Sequence, residues 1–476
     1  MKKILIISDH QTAAQAWFVA AKMQQKLKAS EICVEHVFDT NPTIAQGAVT
    51  ICEEAIDALV ELGFTRQHLF NPQVADLNLA TKYVDWFEVG SAYHTQSELG
   101  VKLEGVDFHH YLYEEFKNEG LNDLTEFSLT ALAAKQGKRI LPSSDPKSIL
   151  SSVSTGLNIE AKYLINLLRQ VALYHGVKEH NAQVEVKQWC DNRVEGVTLK
   201  NGQQLSADFY IDLSAADLPS ESHEWHRPFS QLKPVYVTQT VSVSEHGAGK
   251  PVLECQKNSF GWQKTISINK HKFTERVSTN MLQEHVDSWN KVTFDYLTLP
   301  WAGNCLQIGS HTVKLIDIHG LELVVLNQQI DLLLRHFPNP ETMTVTAQCY
   351  NEENTRLMFM YSVFTLLPFI NIYEGFQVFE NNLNVSELNV SDISFDQLED
   401  GNEFLAYLVQ LFQQTGCFPE LEYQLKPKSY WISLMLAIGV TPLAHNLQAQ
   451  RLSKTELNRF IEKVRLRVIN TANAIK

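Results

Sequence analysis

Lys3-Ile4-Leu5-Ile6-Ile7-Ser8-Asp9-His10-Gln11-Thr12-Ala13-Ala14-Gln15 is the stretch on which the fold turns. Lys3 to Ile7 is an apolar run of strand length. From Thr12 to Leu27 the residues Ala13, Ala16, Trp17, Ala20, Ala21 and Met23 recur at helical spacing. Glu31 to Phe38 follows, rich in β-branched and aromatic residues, as a second strand. Strand, helix and strand within about 35 residues, parallel by the crossover rule, outline a nucleotide-binding βαβ unit. Phosphate binding at the first strand–helix turn uses glycines, which let backbone amides approach a pyrophosphate. Ser8 to Gln15 contains none, and Asp9 puts a negative charge where an anion would sit. Sterics and electrostatics therefore oppose a dinucleotide at this turn. Asp39, at the end of the second strand, is placed either to hold a ribose hydroxyl or to be a solvated loop aspartate.

Outward from this unit, Asn41 to Thr50 reads as a strap leading into a helix over Thr50–Leu62, stopped by Gly63. Residues 66–150 mix aromatics and histidines without a clear period. Asn158 to Tyr174 reads as an amphipathic helix. Val184 to Val186, Val194 to Leu199 and Phe209 to Leu213 read as strands, with Asn201-Gly202 as a hairpin turn. The span 233–298 alternates apolar and polar residues, as an antiparallel sheet would. Asn304 to Ile308 returns to a buried strand, Leu321 to Phe337 is a helix, and the remainder is mostly helical. The expected fold is α/β: a Rossmann-type body, discontinuous over 1–65, 150–215 and 300–340, with a β-rich and helical lobe from 66–149, 216–299 and 341–476.

Of 476 residues, 40 are Lys or Arg and 54 are Asp or Glu, a net charge of −14. Without a Lys/Arg-rich run, nucleic acid is not an expected partner. The seven cysteines are scattered with no CxxC pair, which fits a reducing compartment and neither a zinc knuckle nor a redox dithiol. The apolar run before Asp9 is too short for a secretory leader. Leu357 to Tyr373 is uncharged but reaches only about 25 Å as a helix, short of a roughly 30 Å hydrocarbon core. A cytoplasmic protein without a membrane span is expected. No metal site is expected, since His109-His110 lacks supporting ligand spacing. Trp262 and Trp301 read either as walls of an aromatic pocket or as core residues.

Six segments, in order, carry a resemblance to one family. They are Pro42-Thr43-Ile44 with Gly47 and Thr50; Arg169, Ala172, Gly176 and Val177; Ala207 to Ser214 (ADFYIDLS); Trp301 to Gly309 (WAGNCLQIG); Ile316 to Leu321 (IDIHGL); and Trp431 to Pro442 (WISLMLAIGVTP). Together they resemble the flavin-dependent tryptophan halogenases. The resemblance implies an FAD-dependent monooxygenase-like fold, in which reduced flavin and oxygen oxidise halide to hypohalous acid. A lysine delivers or activates that reagent for an indole held in a separate pocket. It also implies a flavin reductase and a small aromatic substrate as partners, and a homodimer. Thr43, Ile44, Gly47, Gly309, His319 and Gly320 would surround the flavin.

The departures fall where the chemistry is concentrated. The glycine-rich turn is missing. Asn78 stands at the lysine position, and the nearest amine, Lys82, is four residues on; even in a helix that is one turn, about 5.4 Å, away. The family's Glu-Ser pair becomes Asp317-Ile318, which keeps a carboxylate that could stabilise a substrate cation. Of its WxWxIP signature only Trp262 and Ile266 remain. Two readings follow: a diverged halogenase or monooxygenase, or a halogenase-fold protein that has lost its chemistry and serves as a binding or regulatory subunit.

Overall fold

Lys3–Ile7 forms a strand, β1, buried on both faces, as its unbroken apolar run requires of a parallel strand. The computed structural model describes residues 2–28, 30–38, 47–86, 88–116, 124–143, 145–153, 155–214, 224–243, 249–279, 289–339, 341–370, 372–373 and 400–475. The chain divides into two units, one of Met1–Val74, Ile159–Pro228 and Thr293–Ser362, the other of Ala75–Asn158, Phe229–Val292 and Val363–Lys476.

In the first unit β1 runs into helix α1 (Ala13–Lys26) and then β2 (Cys33–Phe38). Helix α2 (Ala161–Tyr174) leads to β3 (Lys178–Asn181). A hairpin of β4 (Val184–Cys190) and β5 (Arg193–Leu199) precedes β6 (Phe209–Asp212); β7 (Cys305–Gln307) and helix α3 (Glu322–Arg335) follow later in the chain. The sheet order is Trp301–Ala302, β7, β6, β1, β2, β3. All neighbours from β7 to β3 are parallel, with Ile6 opposite both Ile211 and His36. Helix α1 packs against α2 and α3, and the Lys22 ammonium, nearly buried on α1, pairs with Asp331 of α3 at 2.7 Å. Arg169 on α2 makes a two-pronged contact with Glu179 of β3, at 2.7 and 2.6 Å. The β4–β5 turn at Asp191-Asn192 has positive φ at both residues, the backbone twist a two-residue hairpin favours. Asn201-Gly202 forms the expected turn, with Gln204–Leu205 antiparallel to β5.

Two helix starts differ from expectation. Ala48–Ile51 is a strand, and the helix begins at Glu53 after an extended Cys52; the β-branched run Val49-Thr50-Ile51 holds the chain extended, and Glu53 and Glu54 suit a first helical turn. Gly156–Glu160 is likewise a strand, and α2 begins only at Ala161 after an extended Glu160.

The second unit contains a seven-stranded sheet, in which the antiparallel strands Val235–Val243, His271–Ser278, Gly261–Ile268 and Val252–Asn258 form the centre. Residues 66–150 are not irregular, contrary to the sequence reading. Ala80–Val84 joins this sheet parallel to Val252–Asn258, Ala92–His94 pairs beside it, and Phe108–Phe116 and Leu129–Gln136 are helices. Strands of three to five residues are too short to show a period, and their pairing partners lie far along the chain. An apolar cluster joins Phe108, Tyr111, Leu112 and Phe127 to Leu457 and Ile461 of the helix Lys454–Ala474, which starts with a Ser453–Glu456 capping box. Among the described residues no helix is long and apolar enough to cross a membrane.

Candidate functional site

The turn after β1 is closed by its own side chains. Asp9 Oδ1 accepts from the backbone N–H of Gln11 and Thr12, at 2.8 and 3.1 Å, and from the Thr12 hydroxyl at 3.1 Å. These amides open α1, where an anion would otherwise be bound by the free N–H groups and the helix dipole. Asp9 Oδ2 meets His311 Nε2 at 2.8 Å. One turn into α1, the Gln15 side chain accepts from Ser310 N at 3.0 Å and donates to Glu322 at the start of α3. Gly309 sits under this contact with φ +85, and a Cβ there would lie 2.3 Å from Gln15 Oε1. A carboxylate, an amide and an imidazole thus meet at this turn.

A second set of amides is used in the same way. Asp317 Oδ1 accepts from the N–H of His319 and Gly320 at 2.8 and 3.0 Å, and its Oδ2 accepts from Glu322 N at 2.8 Å. Asp317 therefore satisfies the first backbone amide of α3 and two amides of the turn before it. Burial, with the carboxylates of Asp317 and Glu322 nearby, holds the Tyr361 hydroxyl well above its ordinary pKa. Gly320 packs against Thr50 and Cys52, and the Gly47 carbonyl accepts from Ala161 N at 2.9 Å. Asp39, Thr43 and Ile44 lie outside the described residues.

Ser8 Oγ and His36 Nε2 are 2.9 Å apart and buried, with Trp17 edge-on to the imidazole. Burial pushes the His36 pKa down to about 3. The native state then binds fewer protons than the unfolded chain below an ordinary histidine's pKa near 6.5, so stability is full above that pH and is lost as pH falls toward 3. Thermal melts between neutral pH and about pH 4.5 should show a steep loss that His36→Asn reduces; equal slopes would refute this assignment.

At the carboxyl end of β6, Asp212 is 1% exposed and pairs with Lys187 of β4 at 2.5 Å. Its Oδ1 accepts from the Ser214 N–H and hydroxyl, at 2.9 and 2.7 Å. Asn304, inside the WAGNC segment, accepts from Val194 N and donates to Val194 O. At Gly303, φ +53, any Cβ would strike the Asn192 carbonyl. Two residues of that motif thus anchor the hairpin. Trp301 is 3% exposed and donates to the Gly303 carbonyl at 3.1 Å.

In the second unit, Asn78 ends the strand Ala75–Asn78, and its Oδ1 accepts from Leu253 N at 3.1 Å. Lys82 stands opposite Glu254 in the parallel register and pairs with it at 2.6 Å. The stretch is extended, so four residues separate the two side chains by about 13 Å rather than one helical turn. Trp262 is fully buried among Trp86 and Phe369, and its N–H donates to the Tyr373 hydroxyl at 2.9 Å. His109 Nε2 contacts the Gly416 carbonyl at 2.7 Å. Among the described residues no cluster of His, Cys, Asp and Glu could hold a metal ion.

Sequence reading missed His311, Gln15, Glu322, Lys187 and Asp212. Only Asp212 left a trace, as a charge ending the apolar run Phe209-Tyr210-Ile211.

A family model described as tryptophan halogenase matches residues 12–371. The chain belongs to the tryptophan halogenase family. Its fold is that of solved flavin-dependent halogenases. One, BrvH from Brevundimonas sp. BAL3, superposes with a TM-score of 0.82 at 18% identity, covering 100% of this chain and 97% of the other. Xcc4156 from Xanthomonas campestris gives 0.77 at 16% identity, covering 100% and 96%. A tryptophan halogenase from Shewanella frigidimarina gives 0.74 at 12%, covering 100% and 96%. A search of curated protein sequences returns no match. At these identities the superpositions establish the halogenase α/β fold, while the family match establishes kinship.

Proposed function

We propose that this halogenase-family chain works without FAD, as a binding or regulatory subunit rather than as a catalyst. The observation that carries the reading is Asp9. In an FAD-binding body of this kind the first turn would hold the pyrophosphate on backbone amides. Here the amides of Gln11 and Thr12 donate to an aspartate carboxylate, which His311 holds from the other side. A diphosphate brought to this turn would meet a like charge and find those donors taken. The residues present do not fit the group. The 319 and 320 amides, expected beside the isoalloxazine, donate to Asp317 in the same manner.

Two further features support the reading. The position expected to carry the lysine is Asn78, bonded to backbone, and Lys82 is paired with Glu254. Neither offers a free amine to carry or activate a halogen. Asp317, expected to stabilise a substrate cation, has its carboxylate directed to three backbone amides.

The test is a titration of the purified chain with FAD and with reduced FAD, beside a flavin-dependent halogenase as positive control. No saturable binding at micromolar flavin is expected. With a flavin reductase, bromide and a panel of indoles, no mass-shifted product should form. A stoichiometric yellow complex, or a brominated indole above the no-enzyme control, would overturn the proposal.

A further inference from the structure

The helix Lys454–Ala474 belongs to the second unit and lies beyond residues 12–371, the part of the chain that matches the family. Its charge departs from that of the rest of the molecule. Residues 451–475 hold six Lys or Arg and two Glu, in a chain of net charge −14. One face of the helix is spent on the fold: Leu457, Ile461, Val464, Val468 and Ala472 are buried at helical spacing, the first three packed in the cluster with Phe108, Tyr111 and Phe127. Both ends are fixed as well. The capping box holds the start, and the Lys138 ammonium donates to the Ala472 carbonyl at 2.6 Å near the finish.

The opposite face meets solvent. Arg459, Lys463 and Arg467 follow at every fourth residue, all exposed, along about 12 Å of helix. Both glutamates of the helix are engaged elsewhere. Glu456, one turn before Arg459, accepts from the Ser453 N–H and hydroxyl at 2.9 and 2.6 Å. Glu462 pairs with Arg465, which also meets Glu126. Among the described residues no carboxylate forms an ion pair with the three cations of the stripe. Beside them Leu466 is 46% exposed, and Asn470 is exposed one turn further on.

This pattern selects its partner. A nucleic acid gains affinity with each phosphate neutralised, and three cations on a strongly acidic chain give it little. A lipid surface takes up the apolar face of a helix, and here that face is already buried in the fold. A second helix with carboxylates at the same spacing meets the cations one for one and covers Leu466 with an apolar side chain.

We propose that this face docks an acidic amphipathic helix of a partner protein, its carboxylates at every fourth residue against Arg459, Lys463 and Arg467 and an apolar side chain against Leu466. The proposal does not depend on whether the chain binds flavin.

Fluorescence anisotropy with the full chain tests it. The probe is a labelled helical peptide carrying Glu at every fourth residue and Leu on the adjoining stripe. Saturable binding that weakens as salt is raised is expected. Reversing the stripe in Arg459→Glu, Lys463→Glu and Arg467→Glu together should weaken it about tenfold or more without moving the thermal midpoint, since all three side chains are exposed. Leu466→Ser should also weaken it. No binding, equal binding of a scrambled peptide of the same composition, or binding unchanged in the triple variant overturns the proposal. So does binding to phosphatidylserine vesicles, or dimerisation of the chain in sedimentation, that the triple variant abolishes while the peptide stays unbound; either would assign the face to a lipid surface or to a second copy.

Discussion

Replacing Trp262 with alanine should destabilise the second unit by about 3–5 kcal/mol, the range for deleting a large buried aromatic side chain. Trp262 is fully buried, edge-on to Trp86 with ring centroids 5.5 Å apart, and 5.1 Å from Phe369. Alanine would leave a cavity between these rings and strip the Tyr373 hydroxyl of the N–H it accepts at 2.9 Å. Trp262→Phe should keep most of the packing and lose the hydrogen bond, costing about 1–3 kcal/mol. Urea unfolding of both variants checks this. A pocket-lining tryptophan would behave differently: its removal would change ligand binding and leave the midpoint nearly where it was.

Lys187→Ala should cost a comparable amount, about 3–5 kcal/mol, because it leaves a buried carboxylate without its counter-charge. Asp212 is 1% exposed, and the Lys187 side chain 11%. The remaining partners of Asp212, the Ser214 N–H and hydroxyl, are neutral donors and do not replace an ammonium. Removing the charge as well, in Lys187→Met with Asp212→Asn, should recover much of the loss, since an uncharged pair carries a smaller desolvation cost. The double variant's midpoint against those of the two single variants is the deciding measurement. If Lys187→Ala alone unfolds with the wild-type midpoint, the pair does not hold the hairpin to the sheet.

How far the sequence could be read depended on the length and locality of its signals. β1, α1 and β2 announce themselves because one apolar run and one helical stripe stand within a short window. The Asn201-Gly202 hairpin was legible for a similar reason, since two residues determine the turn. Residues 75–94 were illegible, because Ala80–Val84 is a strand only by virtue of Val252–Asn258, more than a hundred and fifty positions later. The turn at Ser8 to Thr12 shows both sides of this limit. Its lack of glycine and its acid were visible in the sequence. That Asp9 would curl back onto the amides of its own helix, with His311 arriving from three hundred residues away, was not. Asp317 is similar: the carboxylate was conspicuous, while its contacts with three backbone amides belong to the folded chain.

On the proposed flavin-free reading, the Asp9 contact also changes what governs the stability of the first unit. A diffusible cofactor lends its binding energy only in proportion to how far its concentration exceeds its dissociation constant. A tethered side chain is present at every dilution, so mass action has no purchase on it. Dialysis, flavin starvation and oxidation of the cofactor pool should all leave the thermal midpoint of this unit unmoved.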